Sequence, residues 1–152
     1  MAVRFTDYLC CLFLVLLLIS VIPTSNASQV DDSVEVIVHP SVSVQVRNLS
    51  RNSLRAIFGM RLRAWQDGSP IRVFVLPDEA PLHHLFAKEK LSIFPYQLRL
   101  AWDRLIFSGT GQAPFLVNSE EEMHRRVGNT PGAIGYLKRV NIDDSIQIVH
   151  VE

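Results

Sequence analysis

Small and hydroxyl-bearing residues cluster at one point of this sequence, in the tetrapeptide Ser108-Gly109-Thr110-Gly111. Backbone amides beside glycine can approach an oxyanion closely, and the Ser108 and Thr110 hydroxyls add two donors without burying a side-chain charge. The pattern therefore predicts an anion-binding loop. A solvated turn after a helix uses the same residue types, so this second interpretation stays open beside the first.

Two further side chains extend the candidate binding set. Ser50 stands where a helix should begin, so its hydroxyl either helps to bind an anion or simply caps the first turn. Arg72 lies in a strongly apolar segment and can supply a positive charge. Arg61 and Arg63 could grip a carboxylate or phosphate with two bonds each, although solvated or ion-paired arginines are the commoner case. The predicted ligand-binding residues are Ser50, Arg72, Ser108, Gly109 and Thr110.

The sequence offers little for catalysis or metal binding. It contains no HExxH zinc motif, no nucleophile elbow and no Walker loop. His83 and His84 are adjacent, so on a helix they point about 100 degrees apart, cannot chelate one metal together and are predicted to lie at the surface. Asp78 and Glu79 are predicted to interact with a helix dipole rather than to work as an acid and base pair. We therefore expect no enzyme activity, no metal and no cofactor.

The N-terminal residues 1–27 have the pattern of a secretion signal. Arg4 precedes an apolar run at 8–22, which is shorter than the about 20 residues that a membrane span needs. Small residues follow, so we expect cleavage after Ala27 and a secreted or periplasmic chain of residues 28–152; an uncleaved anchor is the alternative. Cys10 and Cys11 both lie in the removed segment, so the mature chain is expected to have no disulfide.

Length and charge limit the architecture and the partners. Residues 28–152 suffice for one domain with a hydrophobic core but not for two. Lysine and arginine number 15, aspartate and glutamate also number 15, and the formal net charge is +0. No bulk field therefore favours nucleic acid as a partner or, for the mature chain, an anionic membrane.

Apolar periodicity predicts alternating strands and helices. The predicted strands cover 33–39, 71–77, 115–117, 133–137 and 145–151, and 42–46 is either a short edge strand or a spacer. The predicted helices cover 48–58 or 50–58, 81–86, 95–107 and 120–127, the last one stopped by Gly128-Asn129. This alternation indicates an α/β fold, a single three-layer domain in which helices flank a mixed, mostly parallel sheet of about four or five strands.

Two segments resemble a known protein family. Residues 129–136 join a helix stop, a glycine turn and a buried strand, in which Gly135 marks the close approach of another backbone or a ligand. This segment is similar to the TPGAIGY signature of the periplasmic phosphate-binding proteins of ABC transporters. A second block resembles the same family through Leu49-Ser50, Ile57-Phe58-Gly59, Trp65 and Asp67-Gly68.

The resemblance implies the fold of one lobe of a type II periplasmic binding protein, a small oxyanion ligand such as phosphate, and an ABC permease or another periplasmic protein as partner. In that family a Ser-Gly-Thr anion loop follows the strand equivalent to 71–76, where this chain has Asp78 and Glu79, whose charges would repel phosphate. The leading hypothesis is a periplasmic solute-binding-like protein with an anion site rebuilt from the predicted ligand-binding residues. The alternative is an interaction or sensor module that keeps the fold, has lost the ligand and binds a protein partner.

Overall fold

A six-stranded sheet and four α-helices form the part of the chain that the structure describes. The structure is a computed structural model, and it describes residues 32–42, 46 and 48–152; the predicted signal segment and most of the 42–46 segment lie outside these residues. The strands are β1 (Val34–Val38), β2 (Asn48–Leu49), β3 (Arg72–Val75), β4 (Phe115–Leu116), β5 (Ala133–Lys138) and β6 (Gln147–Val151). The helices are α1 (Arg51–Phe58), α2 (Pro81–Glu89), α3 (Pro95–Phe107) and α4 (Glu120–Asn129), and a 3-10 turn covers Arg139–Asn141.

Two details differ from the sequence prediction. The sheet exceeds four or five strands because β2, only two residues long, becomes a strand through its pairing with β6. Helix α4 continues through Gly128 to Asn129 instead of stopping at Val127. Glycine near a helix end costs only about 1 kcal/mol relative to alanine, and the Asn129 side-chain amide donates to the Arg125 carbonyl over 2.8 Å. The prediction treated Gly128 as a stop, whereas it is tolerated in the last turn.

The direction of the strands creates one edge where nearly all of them end. The order in the sheet is β2-β6-β1-β5-β3-β4. Strand β3 is parallel to β4 and β5, β2 is parallel to β6, and β1 is antiparallel to its neighbours β5 and β6. Every strand but β1 therefore points the same way, which confirms the mixed, mostly parallel sheet. We call the side where these strands end the carboxyl edge and the opposite side the amino edge.

Successive residues of β5 show that helices cover both faces of the sheet. Tyr136 packs against Phe86 of α2, with ring centroids 4.0 Å apart, and lies 6.0 Å from the ring of Phe58 of α1. Gly135 faces the other way, because a Cβ built on it would lie 2.5 Å from the Met123 sulfur of α4. Neighbouring residues of a strand point to opposite faces, so the predicted three-layer domain is confirmed. A close approach does occur at Gly135, but side chains of α4 make it, rather than the backbone or ligand that the sequence predicted.

The two motifs behind the family resemblance contact each other. Trp65 is 7% exposed, and its Nε1 donates to the Gly132 carbonyl over 3.0 Å. Gly132 adopts a φ of +76°, and a Cβ there would overlap the Pro70 carbonyl oxygen. These residues thus join the loop before β3 to the turn before β5. Trp102 is also buried and donates from Nε1 to the Phe58 carbonyl over 2.7 Å, so both tryptophans belong to the core.

Candidate functional site

Three helices begin at the carboxyl edge of the sheet. Helix α1 follows β2, α2 follows β3, and α4 follows β4. A helix start carries unpaired amides and the positive end of the helix dipole. Ligands of open α/β sheets bind outside the carboxyl ends of the strands. The carboxyl edge is therefore the candidate functional site.

Ser50 links β2 to α1 at this edge. Its Oγ accepts a hydrogen bond from the Ser53 amide over 3.1 Å and lies 2.9 Å from the Ser53 hydroxyl, so the predicted helix cap is present. Ser50 is exposed, and the first turn of α1 contains no acidic residue. The Arg51 amide donates to the Glu152 carbonyl over 3.0 Å and the Ser53 amide to Ser50 Oγ, so the two hydroxyls are the groups of this helix start that remain to meet an anion.

The negative charge before the start of α2 is smaller than its two acidic residues suggest, because one of them is paired with an arginine. Arg99 of α3 binds the Asp78 carboxylate with two hydrogen bonds, from Nε over 2.7 Å and from Nη2 over 2.8 Å. This bidentate contact holds the pKa of Asp78 below its usual value, and the guanidinium also lies 5.0 Å from the centre of the Trp102 ring. Asp78 is therefore ionised but neutralised by its partner. Two carboxylates were expected to repel phosphate. With Asp78 paired, the exposed Glu79 is the one whose charge still opposes an anion here.

A buried hydrogen-bonded triad ties β3, β5 and α2 together just behind this edge. The Tyr136 hydroxyl accepts from the Leu76 amide over 2.9 Å and lies 2.6 Å from His83 Nδ1. The histidine tautomer sets the direction of this second bond, because the hydroxyl can donate its one proton to Nδ1 or accept a proton from it. His83 Nε2 is buried and has no hydrogen-bond partner among the described residues. Burial raises the pKa of Tyr136 and lowers that of His83, so both side chains are neutral.

His83 corrects the prediction that both histidines lie at the surface. His84 is exposed, whereas His83 is 0% exposed. Phe86 and Ala87, three and four residues further on, are also 0% exposed, so His83 belongs to the apolar stripe of α2. That spacing is visible in the sequence, but the partner that makes burial possible is Tyr136, 53 residues away.

The other predicted site residues do not meet Ser50. Arg72 is the first residue of β3 and thus lies at the amino edge. The loop after α3 is held near the same edge, because Arg63 Nη2 donates to the Thr110 carbonyl over 3.0 Å while the Arg63 carbonyl accepts from the Ile71 amide over 2.8 Å. Ser50 is at the opposite edge of the sheet. The structure therefore separates the five residues into two groups.

Within the second group, Ser108, Gly109 and Thr110 do come together. The Ser108 and Thr110 hydroxyls lie 2.7 Å apart, and Ser108 Oγ also donates to the Leu105 carbonyl over 3.3 Å. Gly109 has a φ of +68°, a backbone conformation that favours glycine. The loop follows the C-terminus of α3, where the helix dipole is negative. Its anion-binding role stays a prediction.

The described residues were also compared with the requirements of a metal site and of a membrane-spanning helix. Across them, no three histidine, aspartate or glutamate side chains come together in a way that could hold a metal ion. None of the helices in residues 32–42, 46 and 48–152 combines the length and the apolar character needed to cross a bilayer.

The sheet and the helices on both of its faces define the fold of this chain. The fold is that of one lobe of a periplasmic binding protein, as the resemblance implied. No protein-family model matches the sequence, and no curated protein matches it.

Solved structures that share this fold include substrate-binding proteins for phosphate. One is a phosphate ABC transporter substrate-binding protein of Clostridium perfringens with bound phosphate, similar with a TM-score of 0.60 and 19% identity over 79% of this chain and 45% of that one. A phosphate transport receptor of Vibrio cholerae gives a TM-score of 0.52, 17% identity, and coverages of 79% and 46%. PstS of Borrelia burgdorferi gives a TM-score of 0.54 and 16% identity over 80% of this chain and 47% of that one. The chain thus spans about half the length of these proteins. At identities this low, the structural similarity establishes a common fold and nothing more.

Proposed function

We propose that this chain is a non-enzymatic, periplasmic solute-binding-like protein that binds phosphate or another small oxyanion at the carboxyl edge. The observation that carries the proposal is the fold shared with a phosphate-binding protein whose structure contains phosphate. Export by cleavage after Ala27, leaving a single domain at 28–152, belongs to the same proposal, as does delivery of the anion to an ABC permease. A binding protein needs no chemistry of its own, which agrees with the absence of catalytic motifs from the sequence.

Ser50 is the residue on which this site depends. It lies at the carboxyl edge, beside the Ser53 hydroxyl at the start of α1. The pairing of Asp78 with Arg99 removes much of the repulsion that the sequence predicts there. Arg72 and the Ser108 to Thr110 loop lie at the amino edge, so their binding of an anion is a separate prediction.

A thermal-shift titration with phosphate, sulfate and chloride at matched ionic strength tests the proposal. A ligand at 100 times its dissociation constant stabilises the folded state by about 2.7 kcal/mol. Ser50→Asp keeps a good helix cap but places a negative charge in the site, so we expect it to abolish the shift caused by phosphate. Ser119→Asp is the matched control, because Ser119 caps α4 in the same way, and it should leave the shift intact.

Two outcomes would redirect the assignment. A phosphate shift that survives Ser50→Asp but disappears in Ser108→Ala with Thr110→Ala would move the site to the amino edge. No shift with phosphate or sulfate up to millimolar concentration would contradict oxyanion binding.

The second candidate function is an interaction module, and one observation favours it. Large apolar side chains are exposed along α3 and on the edge strand β4, with Phe107 88%, Leu116 56% and Leu100 51% exposed. Apolar side chains grouped at a surface can mark a protein interface. Sedimentation velocity of the protein, with and without Phe107→Ser, tests whether this surface joins two copies of the chain. Monomers in both cases, together with a thermal shift caused by phosphate, would favour the solute-binding function over the interaction module.

A further inference from the structure

A groove rich in arginine lies between α1, the loop that follows it, and α3. Arg55 and Arg61 reach it from α1 and the loop that follows, and Arg104 reaches it from the last turn of α3. The groove has a volume of about 390 Å³ and, among its lining residues, no acidic side chain. This size falls within the range of small-molecule sites.

The positive charge of the groove is not compensated by the surrounding protein. Arg55 is fixed in place, because its Nε donates to the Leu91 carbonyl over 2.6 Å and its Nη2 to the Ser92 carbonyl over 3.3 Å. The guanidinium groups of Arg61 and Arg104 make neither a hydrogen bond nor an ion pair with any residue that the structure describes. Carbonyl contacts do not neutralise a guanidinium, so all three charges remain available to a ligand.

The floor of the groove is apolar. Apart from the arginines, Gly59 and Gln97, its lining residues are Ile93, Leu98, Ala101 and Leu105. Free phosphate would leave this surface exposed to water, whereas a ligand with an apolar body would cover it while its acid group met the guanidinium forks.

We propose that the arginine groove, defined by Arg55, Arg61 and Arg104, binds a small soluble acid that carries a phosphate or carboxylate on an apolar body. The groove is distinct from the site at the carboxyl edge, because α1 lines it with Arg55 and, after the helix end, with Gly59, whereas neither Ser50 nor Ser53 is among its lining residues. The proposal does not depend on phosphate binding at Ser50.

Isothermal titration calorimetry with octyl phosphate, below the concentration at which it forms micelles, is the direct test. We expect saturable binding with one site, and binding at least about tenfold weaker with either inorganic phosphate or octanol, since each lacks half of the recognised chemistry. Arg61→Gln with Arg104→Gln should weaken octyl phosphate binding about tenfold or more. Both residues are exposed, so this variant is expected to keep its fold.

The matched control removes two charges elsewhere. Arg51→Gln with Arg125→Gln alters the net charge equally at two exposed positions outside the groove, and it should bind octyl phosphate as the unchanged protein does. Ala101→Leu should also weaken binding, because it fills the floor while leaving every arginine in place.

Three results would overturn the proposal. The first is equal loss of affinity in the two double variants, which would show a general charge effect. The second is equal affinity for octyl phosphate and inorganic phosphate, which would show that the apolar floor is not used. The third is binding to vesicles of phosphatidylglycerol with none to monomeric octyl phosphate, which would identify a lipid surface as the partner instead. Persistence of octyl phosphate binding in Ser50→Asp would separate this site from the proposed phosphate site.

Discussion

Removing one hydroxyl, in Tyr136→Phe, should destabilise the domain far more than its size suggests. The aromatic ring would stay stacked on Phe86, where the two rings are nearly parallel at 7°, so the substitution isolates the hydroxyl. Two groups lose their partner, the Leu76 amide and His83 Nδ1, and both residues are buried. An unsatisfied buried polar group costs about 1–3 kcal/mol. For two such groups we therefore expect the free energy of unfolding to fall by about 2–6 kcal/mol, a large part of the about 5–15 kcal/mol typical of a domain.

Urea denaturation followed by circular dichroism measures this loss. Tyr96→Phe is the control, because Tyr96 is 61% exposed and the structure gives its hydroxyl no partner among the described residues; its unfolding free energy should change by less than about 0.5 kcal/mol. The double variant Tyr136→Phe with His83→Leu should lose less than the sum of the two single losses, since both polar partners are then gone. A change below about 0.5 kcal/mol in Tyr136→Phe would falsify the reasoning that the triad stabilises the fold.

Two further predictions follow from His83 and Gly135. Burial lowers the pKa of His83 in the folded state below the usual 6.5, with Asp78 opposing and His84 and Arg99 adding to the shift; the unfolded chain therefore binds a proton that the folded chain does not. The stability that this histidine contributes is complete above pH 6.5 and is lost as pH falls from 6.5 to the folded pKa, by up to about 1.4 kcal/mol per pH unit. Unfolding free energies at pH 7.5 and 5.5 should show this slope in the His84→Leu control but not in His83→Leu, and an equal slope in both would rule out His83 as its source. Gly135→Ala should lower the unfolding free energy by about 1–3 kcal/mol, because its Cβ would lie 2.5 Å from the Met123 sulfur. Gly128→Ala, where the nearest atoms lie at an ordinary 3.6 Å, should be neutral or stabilising in the same urea titration, and equal losses in the two variants would contradict the packing account.

Much of the secondary structure could be predicted because its causes are local. Helix α3 begins at Pro95 and ends at Phe107 as predicted, since proline suits a first turn and the apolar stripe ends at the glycine-rich loop. Strands β3 and β5 also agree, because their branched and aromatic runs are bounded by proline and glycine. The cap at Ser50 needs only the amide of Ser53, three residues away.

The candidate site was less predictable, since its groups come from distant parts of the chain. The acidic residues at 78 and 79 read as repulsive until Arg99 is seen to pair with Asp78 from another helix. Both histidines were predicted to lie at the surface, because the hydrogen-bond partner that allows His83 to be buried, the Tyr136 hydroxyl, comes from a distant strand. The loop at Ser108 to Thr110 and the cap at Ser50 both read as anion sites, and only the direction of the strands separates them.

The sequence by itself determined an α/β domain with capped helices and a mostly parallel sheet, because propensity, periodicity and turn residues act over a few neighbouring positions. Tertiary structure alone decided which of those residues share a space. It placed Ser50 at one edge of the sheet and Arg72 at the other, and it gathered Arg55, Arg61 and Arg104 around one groove. The physical reason is that strand order and direction are fixed by burial of the whole core, a cooperative property that no short segment contains.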